Sequence, residues 1–186
     1  MIKIIDINFQ GFNSAVACFL IKSENNLILI ETGPSNSYSK IKERMLALGE
    51  DINKINHVFV THIHLDHSGG AWKFAKNGAI IYVHPKGAPH LENPEKLIAS
   101  ATMIYGNKME KLWGKVDKID ANQIYSVRDN EEIKIDNYSF KALYTPGHAN
   151  HHIAWKLDNI IFTGDVAGAK IKNGPVMPAC PPPDID

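Results

Sequence analysis

The chain has 186 residues, 44% of them hydrophobic, with 20 basic residues balancing 20 acidic ones. That size and apolar content suit one soluble globular domain spanning 1–186, and a formal charge of zero provides no footprint for nucleic acid or an anionic membrane surface. The amino-terminal Met1-Ile-Lys-Ile-Ile-Asp-Ile lacks the apolar core and cleavage site of a secretory signal. No apolar run approaches the roughly 20 residues a membrane-crossing helix needs. Two distant cysteines, Cys18 and Cys180, do not make a disulfide framework. The expectation is a cytoplasmic protein with a small-molecule partner and no contact with nucleic acid or membrane.

In chain order, residues 2–7, 14–22 and 26–31 read as three successive strands, with Glu24-Asn25-Asn26 turning the second into the third. Gly33-Pro34-Ser35 breaks the run, and Ile41, Met45, Leu46 and Leu48 then recur at helical spacing up to Gly49. His57-Val-Phe-Val60 is a short apolar run suited to a buried strand. Residues 69–76 suit a short helix and 79–83 another buried strand that Pro85 stops. From 86 to about 118 prolines and glycines surround helical stretches such as 95–105, an excursion outside the sheet. Two hairpins follow: 131–135 with 138–144 around Asp136-Asn137, and 151–157 with 159–162 around Asp158-Asn159.

The chemistry concentrates after the strand at 57–60, in the order His62-x-His64-x-Asp66-His67. Side chains two apart on extended backbone point the same way, so His62 and His64 can aim at one point. Asp66 and His67 are adjacent, and a tight turn can send both to a second point nearby, with Gly69-Gly70 leaving room for that turn. Tyr144-Thr-Pro-Gly-His148 and Phe162-Thr-Gly-Asp165 each put a further donor at a strand end. Imidazole and carboxylate donors suit Zn²⁺, and also Fe or Mn. An isolated His-x-His is more often a surface pair than a ligand set; the longer cluster, followed in order by two strand-end donors, is a different matter.

These motifs resemble those of the metallo-β-lactamase superfamily, and the match runs over essentially the whole chain. The resemblance implies an α+β fold, an αββα four-layer sandwich, here shortened at the carboxyl end. It implies that His62, His64 and His148 hold a first metal, that Asp66 and His67 hold a second, and that Asp165 bridges both. Glu31-Thr-Gly33 stands where many relatives carry Asp-Thr-Gly beneath the ligand loop. The segments 144–152 and 162–168 look most like a prokaryotic branch of general metallo-hydrolases, whose members usually continue past the proline-rich segment at 181–183 to one more histidine ligand.

By that resemblance the function is a metallo-hydrolase that uses a metal-bound hydroxide on a small ester, thioester, lactone or related bond, with one or two zinc ions. Asp66 would be both ligand and catalytic group, orienting the nucleophile and shuttling its proton. Two alternatives stay open at this point: a mononuclear-iron oxidoreductase of the persulfide dioxygenase kind, and a metal-binding fragment without activity. His151 and His152 read as supporting or cleft-lining groups, His57, His84 and His90 as structural or rim residues, and Cys180 as a small hydrophobe. Tyr105 or Trp113 could wall the substrate pocket or belong to the core. A shortened sheet exposes an edge, so a homo-oligomer is a further expectation.

Overall fold

The computed structural model describes residues 2–170 and 174–179. Its first sheet begins with two antiparallel hairpin steps, β1 (Ile2–Asp6) to β2 (Ala17–Lys22) to β3 (Leu27–Ile30). It then continues in parallel through β4 (Ile55–Phe59), β5 (Ile80–Val83) and β6 (Ile124–Ser126). The strand order follows the sequence, β1-β2-β3-β4-β5-β6. Because β3 lies inside this sheet, both its faces are covered, and Leu27 to Ile30 are all buried. Alternation then sorts them: Leu27 and Leu29 join one core, Ile28 and Ile30 the other.

Helices cross between the parallel strands and cover the first core. Helix α1 (Tyr38–Ala47) buries Ile41 and Met45, one turn apart, while its exposed side carries Lys and Glu. A one-turn helix α2 (Leu65–Ser68) and then α3 (Ala71–Lys76) follow β4, with Phe74 and Ala75 in the same core. After β5 the chain leaves the sheet through α4 (Ala88–Glu92), α5 (Glu95–Tyr105) and α6 (Met109–Trp113). Beneath this excursion lies a small cluster of Leu65, Ala101 and Trp113.

The second sheet is wholly antiparallel: β7 (Glu132–Ile135), β8 (Tyr138–Tyr144), β9 (Ile153–Leu157) and β10 (Ile160–Phe162), in the order β10-β9-β8-β7. It packs face to face on the first sheet. Phe59 stands at the centre, stacked on Tyr82 and Phe140 at centroid distances of 4.3 and 4.5 Å, with Trp155 edge-on at 4.8 Å. Among the described residues no buried apolar side chain of a helix enters this between-sheet core. No α-helix among the described residues follows α6, so the layers they form are helix, sheet and sheet, the expected αββα sandwich without its last helical layer. Residues 169–170 pair with 176–177 as a short ribbon, β11 and β12.

The strand and helix expectations hold apart from a few boundaries, each with a local cause. β2 starts at Ala17 rather than at 14, because Ser14 has φ +58 and its amide donates to Asp6 Oδ2 in the connecting loop. β3 stops at Ile30, since Glu31 takes φ +63. β6 has no counterpart in the sequence reading; three residues, Ile-Tyr-Ser, are too few to show a period. Asp66 and His67 lie on the single turn α2 instead of a tight turn.

Candidate metal centre

The ligand-bearing segments all emerge at one rim of the sandwich, where β4, β8 and β10 end. That rim is tied together across the two sheets. The indole Nε1 of Trp155 in β9 donates to the Val60 carbonyl at 3.0 Å, and the amide of Ile153 donates to the Thr61 carbonyl at 2.8 Å. Residues 60–61 of the first sheet, immediately before the His-x-His pair, are thereby fixed to the second.

From this platform three imidazoles converge. Nε2 of His148 lies 3.1 Å from Nε2 of His62 and 2.9 Å from Nδ1 of His64. A tetrahedral ion with metal–nitrogen bonds of about 2.05 Å spaces its ligand nitrogens about 3.3 Å apart, so the observed spacing fits a common ion. The remaining ring nitrogens are anchored behind: Nδ1 of His62 by Thr61 Oγ1 at 3.0 Å, and Nδ1 of His148 by the carbonyl of Ala179 at 2.5 Å. Such contacts set the tautomer and aim the other nitrogen into the site.

A second group shares His62 and adds His67 and Asp165. Nε2 of His67 lies 3.2 Å from Asp165 Oδ1 and 3.6 Å from Asp66 Oδ2, and the other Asp165 oxygen is 3.5 Å from His148 Nε2. Asp165 thus stands between the two groups, as a bridging carboxylate would. Asp66 sits at the margin of the second group, with its side chain 34% exposed towards the cleft. The structure accordingly gathers all six sequence-predicted donors, His62, His64, Asp66, His67, His148 and Asp165, at one place.

For His62 and His64 protonation suits the same purpose. Burial first, and then the neighbouring imidazoles, hold His62 well below the ordinary histidine range. His64 is pushed down to about 4 by burial and by His148. Both present lone pairs at neutral pH, as ligation requires. His67 moves the other way: burial alone would lower it, but Glu31, Asp165 and Asp66 raise it well above its usual value. Burial would raise Asp165, yet the contact with His67 holds it below the usual carboxylate range. The acidic side chains Glu31, Asp66 and Asp165 thus cluster around His67.

Glu31 supports that half. Its left-handed backbone ends β3 and turns the carboxylate back beneath the ligand loop, where Oε1 accepts from the Thr61 amide at 3.1 Å and lies 3.5 Å from His67 Nδ1. Thr32 Oγ1 then donates to the His67 carbonyl at 2.9 Å, holding α2 from the other side. The supporting role expected of Glu31-Thr-Gly33 is realised in these contacts.

The other histidines separate by environment. His151 lines the cleft and is pushed down to about 4, chiefly by burial. His152 is buried behind the centre, pushed down to about 3, with Nδ1 2.8 Å from Thr145 Oγ1. His57 meets the Tyr82 hydroxyl at 3.0 Å, and His84 lies tilted against Tyr144, ring centroids 4.1 Å apart. His90, Tyr105 and Trp113 line the cleft over the centre. Cys180 lies outside the described residues. Thr61 and Thr145, which contact His62 and His152, carry no signal in the sequence, because a threonine near a histidine is too common to mark a role.

The family model of the metallo-beta-lactamase superfamily matches residues 12–176. The chain belongs to that superfamily, whose members are predominantly metallo-hydrolases. Among curated proteins it is similar to the metallo-beta-lactamase fold-containing protein ST1585 of Sulfurisphaera tokodaii, 31% identical over 182 residues, covering 92% of this chain and 64% of the relative. The crystal structure of an archaeal superfamily protein, ST1585 from Sulfolobus tokodaii, superposes with a TM-score of 0.77 at 28% identity, over 97% of this chain and 69% of that one. The hydroxyacylglutathione hydrolase of Dictyostelium discoideum is 26% identical over 155 residues, covering 79% of this chain and 46% of the relative. This chain therefore spans less than two thirds of the length of the curated relatives named here.

Proposed function

We propose that this protein is a zinc-dependent hydrolase of small acyl compounds, acting on an ester, thioester, lactone or related bond. The observation that carries the reading is the convergence of His62, His64 and His148 at 2.9–3.1 Å beside a second group that shares Asp165. Nitrogen donors with a carboxylate between them suit Zn²⁺. His62, His64 and His148 would hold one ion; Asp66 and His67 would hold a second, with Asp165 common to both. Zinc, when bound, acts as a Lewis acid that polarises a carbonyl and makes water a nucleophile near neutral pH.

The chain's own residues supply the rest. Asp66 faces the cleft, and we assign its Oδ atoms to orient the attacking water and accept its proton. In the reaction the oxygen of water bonds to the acyl carbon, the C–O or C–S bond breaks, and the proton passes to the departing oxygen or sulfur. Ile63 and Leu65 flank His64 and exclude bulk water from one side of the cleft. The similarity to a hydroxyacylglutathione hydrolase supports acyl substrates. The buried, unpaired thiol of Cys18 accords with work in a reducing cytoplasm.

Elemental analysis of protein purified without added metal, together with hydrolysis of p-nitrophenyl and thiophenyl esters, tests this. Zinc bound to the chain, with both metal and hydrolysis lost in His62→Ala, is the expected result. One iron per chain with oxygen uptake on a persulfide would overturn it.

A further inference from the structure

The cleft over the metal centre has a volume of about 550 Å³, within the range that takes a drug-sized molecule. One of its walls is a single face of α5. Lys96, Leu97, Ser100, Ala101, Ile104 and Tyr105 all line it, at the spacing that places residues on one side of a helix. The helix is held over the centre by rings: Trp113 packs edge-on to Tyr105 at 5.0 Å and stacks on Phe9 at 5.5 Å. Tyr105, at the carboxyl end of α5, lines the cleft together with Asp66 of the second donor group. Nine residues earlier, about 13 Å back along the axis, the exposed Lys96 lines the same cleft.

The cleft is thus chemically graded. Leu97, Ala101 and Ile104 make an apolar track along α5. Lys96 is the one cation among the lining residues, and among the described residues it forms no ion pair or hydrogen bond. A cation left unpaired at the end of an apolar track complements an anion carried on an apolar chain.

Resting on the hydrolase reading above, we propose that the substrate is an acyl ester or thioester whose acyl chain is apolar and ends in an anionic group, a carboxylate or a phosphate-like head. The chain lies on Leu97, Ala101 and Ile104, and the anion pairs with Lys96 while the scissile carbonyl sits at the histidine cluster. Lys96 is then a specificity-determining residue.

Matched esters long enough to reach along α5 test this: p-nitrophenyl octanoate, mono-p-nitrophenyl suberate, and the analogue in which a phosphonate replaces the terminal carboxylate. The zinc-loaded protein should prefer one or both anionic esters by about fivefold in kcat/KM, carried by KM, as expected of an exposed ion pair; which anion is preferred distinguishes a carboxylate from a phosphate-like head. In Lys96→Gln the anionic-to-neutral ratio should fall to about one, whereas Lys42→Gln on α1 should leave the ratio as it is. A ratio of one in the unaltered protein, or a preference that survives Lys96→Gln, overturns the proposal. If no ester is hydrolysed, the hydrolase reading fails, and calorimetric titration with suberate monoamide and octanamide decides the substrate class alone. Tighter binding of the anion that is lost in Lys96→Gln upholds it; equal binding of the two sinks it.

Discussion

The carboxylate of Glu31 lies behind His67, with Oε1 3.5 Å from the ring Nδ1 and 3.1 Å from the Thr61 amide nitrogen. One side chain from the end of β3 thus touches both halves of the ligand loop. It reaches them only because its own backbone is left-handed, at φ +63, a conformation that costs a residue other than glycine on the order of 1 kcal/mol. Replacing Glu31 by Ala should leave the buried Thr61 amide without an acceptor and lower stability by about 1–3 kcal/mol. Glu31→Gln keeps an oxygen for that amide but removes the charge beside His67. Its expected effect is near-normal stability with second-metal affinity weakened about 10- to 100-fold, read by zinc titration against a chelating dye. Unchanged affinity for both ions in Glu31→Gln would show that the carboxylate only shapes the loop.

Gly164 places Asp165. At φ +50 the residue sits in glycine's conformational territory, and a Cβ there would lie 2.5 Å from Thr61 Oγ1 and 2.7 Å from His152 Nε2. Gly164→Ala must push Asp165 away from His67 or displace Thr61, which itself anchors His62. We expect a destabilisation of about 1–3 kcal/mol from overpacking, and a fall in bound metal larger than the loss of folded protein. Thermal unfolding and elemental analysis on the same sample check this, and full metal content in the variant would contradict it.

The sequence carried the centre more plainly than its supports. His62-x-His64-x-Asp66-His67 is local, so its spacing on the chain already implies shared aim, and His148 and Asp165 each follow a recognisable strand and glycine. What holds them is distant: Trp155 bonded to Val60 and Ala179 to His148 join residues 95 and 31 positions apart, and no local pattern encodes such pairs. The same holds for β6, which exists as a strand only because β5 offers it a parallel edge. The face of α5 was legible as helix, with the boundaries 95–105 borne out. That this face roofs the centre depends on how Trp113 packs on Phe9, a contact between opposite parts of the chain.

Trp155 tests the tie between the sheets. Its ring is fully buried against Phe59, and its indole nitrogen donates to the Val60 carbonyl. Trp155→Phe should retain most of the packing yet leave that carbonyl without its donor, at a cost of about 1–3 kcal/mol. Because Val60 leads directly into the ligand loop, first-metal affinity should weaken along with stability. A variant that loses stability while binding zinc with unaltered affinity would separate the tie from the site.

Asp136 clamps two turns together at the opposite rim. Its Oδ2 accepts from the Ser23 hydroxyl at 2.5 Å, the Asn25 amide at 2.9 Å and the Asn26 side chain at 2.8 Å, so the turn between β7 and β8 grips the turn between β2 and β3. These hydrogen bonds, Ser23's first, hold the carboxyl well below the usual carboxylate range. A depressed folded-state value means the contribution to stability is complete above the unfolded carboxylate pKa of about 3.9 and is lost as the pH falls towards the folded-state value. Asp136→Asn can keep the left-handed backbone at this position, φ +48, which asparagine tolerates, while removing the titrating charge. Urea midpoints should therefore differ most at pH 7, with the unaltered protein the more stable, and draw together as the pH falls below about 4. A gap that stays constant from pH 7 to pH 3 would show that the clamp works through shape alone, without the carboxylate's charge.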